Sequence, residues 1–286
     1  MMAALAYLTL SFCNAKGNIT QFVQKHKVRH FLSNWRDDMA ASLIAFVCLV
    51  IVGTTFLSGL FGMAGGLVLI GVLLLIMPLP AAMMLHAITQ MASNSWRAIT
   101  WCQHIQWRTA ATYAVGCLVA LGLWSVINFV PSKHMALICL GLSPFAIYAM
   151  PARFAPNTES TPQGLIYGFL CMSLMLLTGV AGPMLDSYFL GGRMDRRAII
   201  ATKGACQVFG HGLKLIYFGG VSGDLSVLDP LFIAMALAST MIGTSIAKRF
   251  LEAMTETQFR TWARSLITGI SLYYVAYGSY LWASIV

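Results

Sequence analysis

Charge is what this sequence has least of. Nine Asp and Glu stand against 18 Lys and Arg in 286 residues, and only 9% of the chain is charged, where a soluble globular domain carries about 25%. That scarcity excludes a water-soluble fold. The formal charge of +9 does not point to nucleic acid either, because the basic residues lie mostly in short loops and at the termini, where they bear on membrane orientation. Seven cysteines (Cys13, Cys48, Cys102, Cys117, Cys139, Cys171, Cys206) are odd in number and dispersed, with no pair at metal or redox spacing. They read as small apolar packing residues, and neither a metal nor a cofactor is expected. No phosphate-cradling glycine loop occurs, so transport driven by ATP on this chain is excluded. No Ser, Cys, His or Asp grouping has the spacing of an activated nucleophile, so an enzyme is not expected.

What is abundant is apolar sequence, at 58% of residues. Runs of about 20 residues, enough to cross a bilayer, fall near 42–61, 80–103, 110–130, 135–151, 164–181, 196–218, 228–247 and 261–284. Two shorter runs, 66–78 and 183–192, fit half-helices or re-entrant segments. The expectation is an all-α, polytopic, multi-pass protein of a cell inner (plasma) membrane, with the lipid bilayer as its main partner. Residues 1–41 form a basic N-terminal segment in which Phe22, Val28, Phe31, Leu32 and Trp35 interleave with Lys25, Lys27, Arg29 and Arg36. This is the pattern of an interfacial amphipathic helix, with a frayed basic terminus as the alternative.

Two of the apolar runs carry a polar stripe. His86, Gln90, Asn94 and Arg97 in one, and Lys203, Gln207, His211 and Lys214 in the other, follow the spacing i, i+4, i+8, i+11. At about 100° per residue each set falls within roughly 80° of one helix face. Ionisable groups inside a membrane helix are costly and mark function by default, and here the basic members prevail. A small anion is the expected guest.

The stripes belong to a repeat. Laid on itself at an offset of 117, the window 57–100 matches 174–217 at ten of 44 positions, Gly62/Gly179, Ala64/Ala181, Gly65/Gly182 and Gln90/Gln207 among them. Each half opens on a break, Gly59 to Gly66 and Thr178 to Pro183. Paired interruptions in corresponding positions are the best sequence pointer to a transporter's binding site, and amides of the restarted helices at Gly65, Gly66 and Gly182 would face an anion. The expected organisation is a first transmembrane repeat at 42–151, a Pro-rich linker at 152–163 and a second repeat at 164–286. Each repeat is a glycine-broken helical hairpin followed by about three transmembrane helices. Whether the two are inverted or parallel stays open.

The break at Gly59 to Gly66, the opening Leu79 to Ala82 of the first polar helix, and the echo Gly179 to Pro183 followed by Arg196 to Thr202 resemble the TauE/SafE family of sulfite exporters. The resemblance implies a secondary inner-membrane carrier that exports a small oxidised-sulfur anion, sulfite or an organosulfonate. In place of further glycine after the second break this chain has Gly182-Pro183, and its 203–214 helix carries two lysines.

On this reading Arg97, Lys203 and Lys214 compensate charge, while Gln90, Gln207, Asn94, His211 and His86 supply hydrogen bonds. Interhelical hydrogen bonding and snorkelling of Arg97, Lys203 or Lys214 to an interface are the competing explanations. Asp186, whose counterpart is the apolar Leu69, would neutralise Lys203, carry a coupling proton, or cap a half-helix. Trp96, Trp101, Trp107, Tyr217 and the tyrosines at 273, 274, 277 and 280 fit interfacial belts or lipid-facing packing. Uptake or exchange of another small organic anion, and a non-transporting membrane subunit, remain alternatives, and the oligomeric state is not legible.

Overall fold

The structure, a computed structural model, describes residues 41–61, 64–149, 156–190, 194–221, 223–251 and 256–284. Residues 1–40 of the basic N-terminal segment, 152–155 of the linker and 62–63 of the first break lie outside the described residues. Among the described residues there are ten α-helices and no strand: α1 Ala41–Phe61, α2 Ala64–Ile76, α3 Leu79–Thr100, α4 Trp107–Ile127, α5 Lys133–Tyr148, α6 Thr161–Thr178, α7 Gly182–Leu190, α8 Arg196–Ile216, α9 Pro230–Leu251 and α10 Glu256–Ala283. The chain is an all-α polytopic membrane protein. The two short runs are α2 and α7, of 13 and 9 residues. At 1.5 Å per residue these reach about 20 and 14 Å, short of a hydrocarbon core about 30 Å thick.

Local chemistry sets the helix ends. Proline falls in the first turn of α3 and α6, where its missing amide costs nothing. Asn128 ends α4 at φ 50° and Gly179 ends α6 at φ 89°, the left-handed geometry of a C-cap. Asp195 caps α8, its carboxylate accepting from the Arg197 and Ala198 amides at 2.8 and 3.1 Å. Those amides, Ala198 first, hold the Asp195 carboxyl below its ordinary range. A depressed native pKa gives stability that is complete above the unfolded value, about 3.9, and fades as the pH falls through the native one. Asp195→Ala is therefore expected to lower the thermal midpoint at pH 7, with variant and parent converging below about pH 3. A gap that persists unchanged into acid would show that the ionised carboxylate is not its source.

Exchanging the two halves maps the helix packing onto itself. Helix α4 lies along α6 and α9 along α1, while α3 meets α8 and α5 meets α10. Glycines record the correspondence atom by atom. A Cβ on Gly116 of α4 would collide with Leu165 O and approach Phe169 N of α6 to 2.9 Å; one on Gly243 of α9 would collide with Val52 O and approach Phe56 N of α1 to 3.1 Å. In the same way Gly141 of α5 opposes Ser271 O and Val275 N, and Gly278 of α10 opposes His134 O and Ile138 N. Close backbone approach at small residues is how helices associate where no hydrophobic effect drives them together.

Chain direction follows from the same contacts. From Thr112 beside Gly164 to Trp124, which donates to Ser173 at 3.1 Å, α4 and α6 run parallel. Val52 beside Gly243 and Gly59 beside Ala247 make α1 and α9 parallel as well. Along α3 and α8 the order reverses: His86 meets Lys214, Met91 meets Gly212, and Asn94 with Ala98 meets Gly204. Helix α5 is likewise antiparallel to α10. A helix laid antiparallel on its own counterpart is what a twofold axis perpendicular to it produces.

The aromatic belt divides. Trp96, Trp107, Tyr273 and Tyr280 are exposed, but Tyr217 and Tyr274 are buried. The Tyr217 hydroxyl shares its proton between Phe129 O at 2.7 Å and Trp124 O at 3.3 Å, and that of Tyr274 between Leu67 O and Val68 O, both at 3.3 Å. These two are corrections to the belt assignment: each phenol ties two helices together by donating to main-chain carbonyls, which an interfacial ring would leave to water.

Candidate anion site between α3 and α8

Among the described residues, the helices long and apolar enough to cross a membrane by length and composition are α1, α4, α6 and α9. Helices α3 and α8 are more polar, and their antiparallel packing sets the two stripes face to face in reverse register. His86 comes opposite Lys214 and Arg97 comes to the end that holds Lys203. The stripe residues are thereby brought together along one crossing.

At one end lies a chain of hydrogen bonds that joins the two breaks. Lys214 Nζ donates to Gly179 O at 2.9 Å and lies 2.8 Å from His86 Nδ1, while His86 Nε2 lies 3.0 Å from Gly66 O. A carbonyl can only accept, so Nε2 carries the imidazole proton and Nδ1 is left to accept from lysine. Lys214 and His86 are fully buried, and the ring of His211 stacks obliquely on His86 with centroids 5.4 Å apart. Expected to be lined by amides, the breaks present carbonyls here: Gly66 O to His86 and Gly179 O to Lys214. Gly182 is the buried first residue of α7, and Gly65 is pressed against Thr54 O and Ser58 of α1.

At the other end Lys203 Nζ pairs with the Asp186 carboxylate, their side chains 17% and 22% exposed. Arg97 donates to Ser58 O in the last turn of α1 at 2.9 Å. Arg97 and Lys214, which correspond at the 117-residue offset, thus each donate to a carbonyl at the C-terminal end of α1 or α6, the negative end of the helix dipole. Further along, the Arg197 guanidinium stands 5.1 Å over the Trp101 ring.

Between the two ends are neutral polar groups. Gln90 rests its amide on Gly66, whose Cβ would stand 3.3 Å from Oε1. Asn94 donates to Gln90 O at 2.8 Å. Gln90 Nε2, Asn94 Oδ1, His211 Nδ1, Ser93 Oγ and Ser58 Oγ are buried without a protein partner. Gln207 is half-buried on α8. Such an array of fixed cations, amide and hydroxyl donors can replace the hydration shell of an oxyanion. Among the described residues no group of three His, Cys, Asp or Glu is placed to hold a metal ion.

The family model for "Sulfite exporter TauE/SafE" matches residues 45–274, which takes in both stripes, both breaks, eight of the ten helices whole and most of the other two. The chain belongs to the sulfite exporter TauE/SafE family. Its TauE/SafE membership makes it a membrane transport protein, of a family named for a sulfur anion. Comparison with curated proteins and with solved structures gives no match.

Ser58 and Ser93 are the polar residues of this region that the stripe spacing left out. Ser93 follows His86 by seven residues, about 20° from it around the helix, so the signal was present but dimmed by a residue type common in any helix. Ser58 carries no such signal. It belongs to the apolar α1 and is brought to the site only by the approach of α1 to α2 at Gly65.

Proposed function

We propose that the chain is a secondary carrier of the inner membrane that exports a small oxidised-sulfur anion, sulfite or an organosulfonate, through a central site between two inverted repeats at 42–151 and 164–286. The observation that carries this reading is the reverse-register meeting of the two stripes on α3 and α8. It collects Gln90, Asn94, Arg97, Lys203, Gln207, His211, Lys214 and His86 along one crossing in the membrane interior. The exchange-related glycine contacts support the inverted arrangement, because an axis in the membrane plane turns each self-paired helix against its partner.

Transport then alternates between the two ends of the crossing. Binding of the anion from one side requires Lys203 to leave Asp186; binding from the other requires Lys214 to leave His86 and Gly179 O. Asp186, with the apolar Leu69 as its counterpart, is the coupling group: it holds Lys203 when no anion is present and is free to take a proton when the anion holds that lysine.

Purified protein in liposomes tests the reading. Sulfite flux is expected to fall about tenfold in Gln90→Ala and in Gln207→Ala, the loss of one charge-assisted hydrogen bond, with the purified variants still monodisperse. Parent-like flux in both variants would remove the site. Absence of flux from the parent for sulfite, an alkyl sulfonate and a small carboxylate alike would favour a membrane subunit that does not transport.

A further inference from the structure

Five buried polar atoms without a protein partner lie along the crossing, yet they are not evenly shared between the halves. Ser58 is 3% exposed, Ser93 1%, Gln90 7% and Asn94 2%, and all four belong to the first half. The hydroxyls are unusual among their neighbours. Thr54, Thr55 and Thr89 each donate to a carbonyl one turn back in their own helix, which is the ordinary resting place of a hydroxyl in an apolar helix. Ser58 Oγ and Ser93 Oγ make no such bond.

Their surroundings are tightly built. A Cβ on Gly65 would collide with Ser58 Oγ, so only glycine lets α1 come this close to α2. The next residue, Gly66, carries the Gln90 amide on its Cα, and Ser58 O holds Arg97. The Ser58 carbonyl thus meets α3 at Arg97, and Gln90, Ser93 and Asn94 lie on the two turns of α3 that precede it.

The second half differs at the corresponding positions. At the offset of 117, Ser58 corresponds to Met175 and Ser93 to Gly210. Met175 is buried there, with Cε and Sδ 3.3 and 3.5 Å from where a Gly210 Cβ would stand. At the 117-residue offset the second half has a thioether packed on glycine where the first half has two hydroxyls.

Resting on the carrier reading above, we propose that Ser58 and Ser93, with Gln90 Nε2, form a single hydrogen-bonding cradle for the oxygens of the anion on the first-half side of the crossing. The cations steer and neutralise; the hydroxyls and the amide count oxygens. A pyramidal or tetrahedral oxyanion offers three acceptor oxygens to three neutral donors, whereas a halide offers one centre. The cradle binds one anion per chain, because Met175 and Gly210, the residues at the 117-residue offset, offer no side-chain donor.

Calorimetric titration of the full-length protein in detergent with sodium sulfite, and separately with an alkyl sulfonate, decides the matter. Ser58→Ala and Ser93→Ala are each expected to weaken binding by roughly 5- to 100-fold at a stoichiometry of one. The ligand-free thermal midpoint should stay at or above that of the parent, since the hydroxyl removed had no protein partner to lose. Ser271→Ala, at another buried hydroxyl without a partner on α10, should leave affinity unchanged. Affinity within twofold of the parent in both cradle variants overturns the proposal while leaving the carrier reading intact. So does a stoichiometry of two, or a fall of several degrees in the ligand-free midpoint, which would make the hydroxyls structural. A parent protein that binds neither probe overturns the carrier reading, and the cradle with it.

Discussion

Lys214→Met should abolish transport in a protein that still folds, and His86→Leu should unfold the protein more readily than any other single change in the site. The contrast comes from which partner is left behind. Lys214 is fully buried and its amine has two acceptors, Gly179 O and His86 Nδ1. Methionine matches its volume and removes a costly buried charge, which offsets much of the loss of a donor at Gly179 O and His86 Nδ1, so stability should fall by only about 1 to 2 kcal/mol. The cation that replaces the anion's lost hydration is gone, and flux should fall by about 100-fold, the equivalent of roughly 3 kcal/mol of charge-assisted contact. His86→Leu instead strands the ammonium on a single carbonyl and also frees Gly66 O. A buried charge stripped of a partner costs about 3 kcal/mol. Urea unfolding in detergent beside liposome flux separates the two effects. Equal stability of the two variants would mean that the His86 contact does not hold the cation.

Glycine-to-alanine changes should alter stability with opposite signs at sites a few residues apart on one helix. Gly116 and Gly243 abut the backbones of α6 and α1 at corresponding places, and a Cβ at either would meet a carbonyl oxygen that cannot move without its helix. Gly116→Ala and Gly243→Ala should each cost about 2 to 3 kcal/mol and should resemble each other. Gly122 on α4 and Gly53 on α1 have nothing within 4 Å of a Cβ, so alanine there only improves helix propensity, by about 1 kcal/mol. Thermal midpoints of the four variants suffice. Destabilisation at Gly122 or Gly53, or tolerance at Gly116, would contradict the helix arrangement described.

Much of the fold was legible because apolar length and glycine are local signals. All eight long runs and both short ones have their helix, and the starts of α3, α6 and α8 fall where proline and aspartate allow them. The repeat was visible only in part. At an offset of 117 it aligns α2 with α7 and α3 with α8, but Gly116 corresponds to Gly243 and Gly141 to Gly278. Connections of different length move the later helices to offsets of 127 and 137, where no fixed window can find them. The tyrosines show the other limit. Tyr217 and Tyr274 have the composition of a belt, and only carbonyls supplied by distant helices draw them inward.

By itself the sequence determined that this chain crosses a membrane, that two of its helices carry polar residues at one spacing, and which eight polar residues share those two helix faces. Those follow from apolar length, repetition and the 3.6-residue turn, none of which needs a neighbour. Only the tertiary structure decided that the two faces meet head to tail, that Lys203 rests on Asp186 while Lys214 rests on His86, and that Ser58 joins them from an apolar helix. These depend on which segments approach at glycine, and such contacts bring together residues that the chain keeps far apart.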